Sequence, residues 1–114
     1  MRKPTDPTEL YFWWECALAG MDVKYHENQP ECGWFKTREK LDYRQYGPWL
    51  PVKIWLHSPT DENGFLDGDE ELRAYRDGEA VDPQDIWVWC CRYPITEEEY
   101  ELLAFERAMQ KEVA

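Results

Sequence analysis

The chain has 114 residues, 43% apolar and 16% aromatic, with seven Trp and seven Tyr. That is enough to build one core, and it excludes simple acidic disorder, which is aromatic-poor. Twenty-four acids against thirteen bases give a formal net charge of −11, which sets the chain apart from generic nucleic-acid binders, since these are usually basic.

At the start, Met1-Arg2-Lys3 is followed by Pro4, Asp6, Pro7 and Glu9 rather than by an apolar stretch, so no secretory leader is expected. Asp6-Pro7-Thr8-Glu9 combines a helix cap, Pro at the first helical position and Glu at the capping-box position. Leu10, Trp13, Trp14, Ala17 and Leu18 then share one helical face, and Gly20 is a fitting stop. A first helix is therefore expected over about 7–19, with 21–32 as loop.

Gly33–Arg38 reads as a strand. Gly47-Pro48 and Pro51 are expected to break 39–51. From Val52 to His57 apolar and polar residues alternate, the signature of a half-buried strand. Residues 58–64 have turn chemistry, 71–76 reads as a third strand, and Asp77-Gly78 marks a two-residue hairpin turn into a short strand at 79–81. Asp82-Pro83 repeats the cap-plus-Pro signature and can open a short helix over about 83–91, while Ile86–Trp89 has strand-like propensity, so both a helix and a strand are open there. Thr96 and Glu99 form a capping box for a last helix over about 97–111, with Glu97, Glu98 and Glu99 suiting the helix dipole and Tyr100, Leu103, Ala104 and Phe105 heading its apolar face. These elements predict an α+β single domain over 1–114. It has an N-terminal helix, an antiparallel meander of three to four strands, and one or two C-terminal helices, with the helices on one face. The longest apolar runs, Leu10 to Trp14 and Ile86 to Cys91, are too short to span a bilayer. A location in the cytoplasm, without membrane association, is expected. Cys16, Cys32, Cys90 and Cys91 lack C-x-x-C spacing and are expected reduced and partly buried.

Charge is segregated along the chain. Residues 1–57 hold eight acids and eight bases, and residues 58–114 hold sixteen acids and five bases. The candidate partner-binding acids are Asp61, Glu62, Asp67, Asp69, Glu70 and Glu71, followed by Glu97, Glu98 and Glu99. As a calcium loop the first group fails. Counted from Asp61, the required Gly and Glu positions hold Leu66 and Leu72; counted from Asp67, they hold Leu72 and Gly78. His26 with the cysteines matches no zinc spacing, and no catalytic motif occurs, so no metal, no cofactor and no enzymatic activity are expected. A second candidate surface interleaves bases and aromatics over 34–55. Trp34, Lys36, Arg38, Lys53 and Trp55 could there stack bases and hold phosphates.

Gly33-Trp34-Phe35, then Gly47-Pro48-Trp49-Leu50-Pro51-Val52-Lys53-Ile54-Trp55, resembles a segment of small proteins encoded by tailed phages and prophages of proteobacteria. Asp82-Pro83 with Trp87, followed by Pro94-Ile95-Thr96-Glu97-Glu98-Glu99-Tyr100, is similar to their ending. The resemblance spans roughly 33–103. It implies a mobile-element origin and brings no settled function and no functional residues.

Joined to the acidic surface, that origin makes an inhibitor or adaptor the first expectation. Such a protein is non-enzymatic and acts on a basic host protein or nucleoprotein complex in the bacterial cytoplasm. An anti-CRISPR-like DNA mimic that docks in a cationic channel is the sharpest form of this expectation. A nucleic-acid-binding module using 34–55 and a phage accessory or structural protein are the alternatives. Seven Trp are many for one small core, so an exposed aromatic patch and a homodimer are also expected.

Overall fold

The computed structural model describes residues 2–25, 29–42 and 45–113. Two short helices come first, α1 (Pro7–Leu10) and α2 (Phe12–Leu18). The Asp6 carboxylate caps α1 by accepting from the Thr8 N–H at 2.8 Å. The expected single helix is divided at Tyr11, whose ψ of 4° leaves the helical region. Its ring is stacked on Trp34 with centroids 5.1 Å apart, a tertiary contact that helical periodicity does not encode.

Strands β1 (Gly33–Asp42), β2 (Gln45–His57), β3 (Glu71–Arg76) and β4 (Glu79–Val81) form an antiparallel sheet in chain order, the expected meander. The Asp77-Gly78 turn has φ of 53° and 84°, as a hairpin of this type requires. The expected break over 39–51 does not occur. β1 and β2 pair continuously from Gly33↔Ile54 to Asp42↔Gln45, with register shifts either side of Lys40, and Pro48 and Pro51 lie within β2. Gln45–Leu50 pair with β1 alone, where the other side of β2 needs no N–H donor. Pro51 accepts from the Asp77 N–H at 2.9 Å, and the reciprocal bond a proline cannot make falls at the end of the β2–β3 ladder.

Alternation gives the sheet two different faces. Phe35, Val52, Ile54 and Ala74 are buried on one face, against Ile86, Trp87 and Cys90 of α3 (Pro83–Cys90) and Cys91 just beyond it. The Trp87 ring meets Phe35 at 5.6 Å and Trp13 at 5.1 Å. Full burial of such a side chain contributes roughly 1.5–3 kcal/mol. Residue Thr37, on the same face, donates from its hydroxyl to the Trp89 carbonyl at 3.3 Å. The opposite face carries Lys36, Trp49, Lys53, Trp55 and Tyr75, and α4 (Glu97–Val113) crosses it. The helices therefore pack on both faces, not on one. Trp49 and Trp55 make the second face apolar enough to need a cover, which the half-buried Tyr100, Leu103 and Ala104 supply. Along the outer edge of β1, the Lys36 N–H donates to the Tyr93 carbonyl and the Ile95 N–H to the Trp34 carbonyl, both at 3.0 Å. This blunts an otherwise open strand edge.

Candidate functional site

The acids predicted to bind a partner do not share one role. Asp61 organises its own loop: Oδ1 accepts from the N–H groups of Asn63 at 2.9 Å and Phe65 at 3.0 Å. Glu70 is a latch. Its Oε2 accepts from the Ser58 hydroxyl at 2.7 Å and the Thr5 N–H at 3.1 Å, and its Oε1 from the Thr5 hydroxyl at 3.0 Å. The Ser58 hydroxyl, then the Thr5 backbone, hold its carboxyl below the ordinary range. The Leu66 N–H donates to the Arg2 carbonyl at 2.8 Å, so residues 2–5 are tied to this loop at two points. Glu71 pairs with Arg73 at 3.0 Å, and both are well exposed. Glu62, Asp67 and Asp69 are exposed.

At the start of α4, Glu99 is committed to the expected capping box. Its Oε1 accepts from the Thr96 hydroxyl at 3.2 Å, while its N–H donates back to that hydroxyl at 3.1 Å. Glu97 and Glu98 are exposed, and so are Glu101, Glu106 and Glu112 further along the helix. These last three were not singled out from sequence; Glu101 and Glu112 continue the side of the helix that Glu97 begins, and Glu106 lies on the other. The same helix exposes Leu102, Phe105 and Met109.

The basic and aromatic residues Trp34, Lys36, Arg38, Lys53 and Trp55 fall at alternate positions of β1 and β2 and share one register face. Trp49, another aromatic of 34–55, is the centre of the group. Lys36 Nζ lies 4.4 Å and the Arg38 guanidinium 4.6 Å from its ring centroid, and Tyr93 meets it edge-on at 5.1 Å. Lys53 Nζ lies 5.5 Å from Trp55, which packs on Tyr75 at 4.8 Å. Trp34 is engaged within the protein, between Tyr11 and Trp14. A cleft of about 210 Å³ between this face and α4 is lined by Lys36, Trp49, Ile95, Glu99, Leu102, Leu103 and Glu106.

All four cysteines are unpaired thiols, and Cys32, Cys90 and Cys91 are buried. Burial pushes Cys32 up to about 11 and raises Cys90 and Cys91 above the usual thiol range. Among the described residues no three His, Cys, Asp or Glu side chains gather as a metal site, and His26 lies outside those residues. No described helix is long and apolar enough to cross a membrane. Trp89 is 64% exposed. Comparison with family models, with curated proteins and with solved structures returns no match.

Proposed function

We propose that this chain is a non-enzymatic acidic interaction protein that occupies a basic surface of a partner. The observation that carries this is the division of charge at the surface. Every acid of residues 58–114 except Asp61, Glu70 and Asp77 is exposed. The exposed bases of the same half are Arg73, Arg76, Arg92 and Lys111, and two of these are paired within the protein, Arg73 with Glu71 and Lys111 with Asp77. A one-sign field steers an oppositely charged partner and sets specificity. With a phage origin, the partner class is a host nucleic-acid-guided defence complex, whose channel is lined with bases. Glu62, Asp67, Asp69 and Glu71, with Glu97 and Glu98, would stand there in place of phosphates.

The test is a tagged retention experiment from nuclease-treated bacterial lysate at low and high salt, run beside D67K/D69K/E71K. Glu70 is left untouched because it holds Thr5 and Ser58. A stoichiometric basic protein released by salt, and bound about tenfold or more weakly by the variant, is expected. Equal retention by the variant, or recovery of nucleic acid alone before nuclease treatment, would overturn the reading.

The co-facial arrangement of Trp34, Lys36, Arg38, Lys53 and Trp55 favours one second reading, a single-strand nucleic-acid module. It predicts binding that falls steeply with salt and is lost when Lys36, Arg38 and Lys53 are removed. Two observations oppose it: the Trp34 ring is already stacked on Tyr11, and α4 lies beside Lys36 and Trp49.

A further inference from the structure

On the basis of the acidic-interaction reading, we propose that the outward face of α4 is the principal contact surface, and that it takes an apolar groove bordered by Lys and Arg on the partner protein. α4 turns Tyr100, Leu103, Ala104 and Arg107 toward the sheet, where each is at least half-buried. Leu102, Phe105 and Met109 stand at i, i+3 and i+7 on the opposite side, 60%, 63% and 48% exposed. The solvent side of a helix packed on a sheet is ordinarily polar. Scattered apolar residues on a surface need no explanation, whereas a contiguous stripe marks an interaction site.

The borders of the stripe say what covers it. Helical spacing places the exposed Glu101 and Glu112 along one side and the exposed Glu99 and Glu106 along the other, with Glu98 at its start. Leu102 also lines the cleft of about 210 Å³ beside Trp49, room for an anchoring side chain next to the stripe. A second copy laid on this face would set acidic borders against acidic borders, and an anionic membrane would be repelled in the same way. A groove edged with Lys and Arg gains both terms: apolar burial along the stripe and opposite charge at its margins. Anchors at i, i+3 and i+7 on a helix are the pattern by which an amphipathic helix is read in a groove.

The experiment titrates the full chain with a synthetic amphipathic Lys/Leu helical peptide, with poly-Lys as the charge-only probe. Wild type is compared with L102S/F105S/M109S, whose sites are exposed, and with D67K/D69K/E71K. Wild type and the loop variant are expected to bind the Lys/Leu peptide about tenfold or more tightly than the triple Ser variant. Amide shifts should concentrate on the outward residues of 98–112, and poly-Lys should not distinguish wild type from the triple Ser variant. Equal peptide binding by the triple Ser variant, shifts confined to 58–70, or no peptide binding by wild type would overturn the proposal. So would a wild-type dimer that the triple Ser variant dissociates, which would make a second copy the occupant. If lysate retention yields a salt-released basic protein that the triple Ser variant still holds, this inference fails while the acidic-interaction reading stands. If no form retains a basic protein, that reading itself fails.

Discussion

The Asp77 carboxylate receives the Arg107 guanidinium through two hydrogen bonds, from Nε to Oδ1 at 3.3 Å and from Nη2 to Oδ2 at 3.1 Å. Lys111 adds its ammonium at 3.1 Å to both Oδ2 and the Asp77 carbonyl. A residue selected for the tight β3–β4 turn is thus also the anchor for the C-terminal part of α4. The Asp77 and Arg107 side chains are each only 17% exposed, so water screens this pair less than it screens Arg73–Glu71.

Asp77→Asn separates the two roles. Asn-Gly suits the same turn, so the substitution removes the charge and spares the backbone. A charge-assisted pair at this burial stabilises by about 1–2 kcal/mol. The melting temperature, followed by circular dichroism, should fall by roughly 4–10 °C. An unchanged melt would mean that Tyr100, Leu103 and Ala104 hold α4 without help.

Acid should erase that difference. Burial alone would raise the Asp77 carboxyl, but the hydrogen bonds from Arg107 and Lys111 outweigh it and hold it below the ordinary range. A carboxylate lowered on folding binds fewer protons in the native state than in the unfolded one. Its stabilisation is complete above the unfolded value of about 3.9 and is lost as pH falls through the folded value. The gap in urea midpoint between wild type and D77N should therefore be full at pH 7 and shrink below about pH 4. Comparing the two proteins cancels the general effect of protonating a chain of charge −11. A gap of equal size at both ends would contradict the ion-pair account.

The thiols offer a check on the core. Cys32 is pushed up to about 11, first by burial and then by the neighbouring Glu31 carboxylate, and burial raises Cys90 and Cys91 as well. The thiolate is the reactive form, so these three should be nearly inert at pH 8. A disulfide-exchange reagent should titrate at most one thiol per native chain, Cys16, and all four in denaturant. Rapid loss of two or more native thiols would show that the α3 side of the core is open.

What could be read from sequence was what neighbours in sequence decide. The caps at Asp6, Asp82 and Thr96 formed as expected because each bonds within three residues, and Asp77-Gly78 turned because its φ values are its own. The prolines of β2 misled because their cost depends on where β3 ends, which no local pattern contains. Glu70 looked like one more surface acid because its partner Thr5 lies 65 residues away. The two-sided packing was hidden in a strand pattern whose outward positions are Trp and Lys, residues that read equally as solvent-facing or as covered. The apolar stripe of α4 was overlooked for the reverse reason. Phe105 reads with Tyr100, Leu103 and Ala104 as one apolar face until the sheet is seen to take those three and leave Phe105 63% exposed.

Gly33 tests the junction of α2 with the sheet most directly. A Cβ at this position would lie 2.5 Å from Cγ, 2.6 Å from Cδ1 and 2.7 Å from Cβ of Trp14. The indole cannot step aside cheaply, because its N–H donates to the Trp34 carbonyl at 2.9 Å and to the Ile95 carbonyl at 3.0 Å. Moving it takes the indole donor from the Ile95 carbonyl and disturbs the contact with Trp34, where the ring centroids are 4.9 Å apart. Gly33→Ala should therefore destabilise the fold by about 1–3 kcal/mol, as overpacking does. The same substitution in a Trp14→Gly background should cost less, since all three obstructing atoms are gone and the two changes share one contact. Chemical denaturation of the four proteins gives the coupling. If Gly33→Ala is equally costly in both backgrounds, the intolerance belongs to the β1 backbone and not to Trp14.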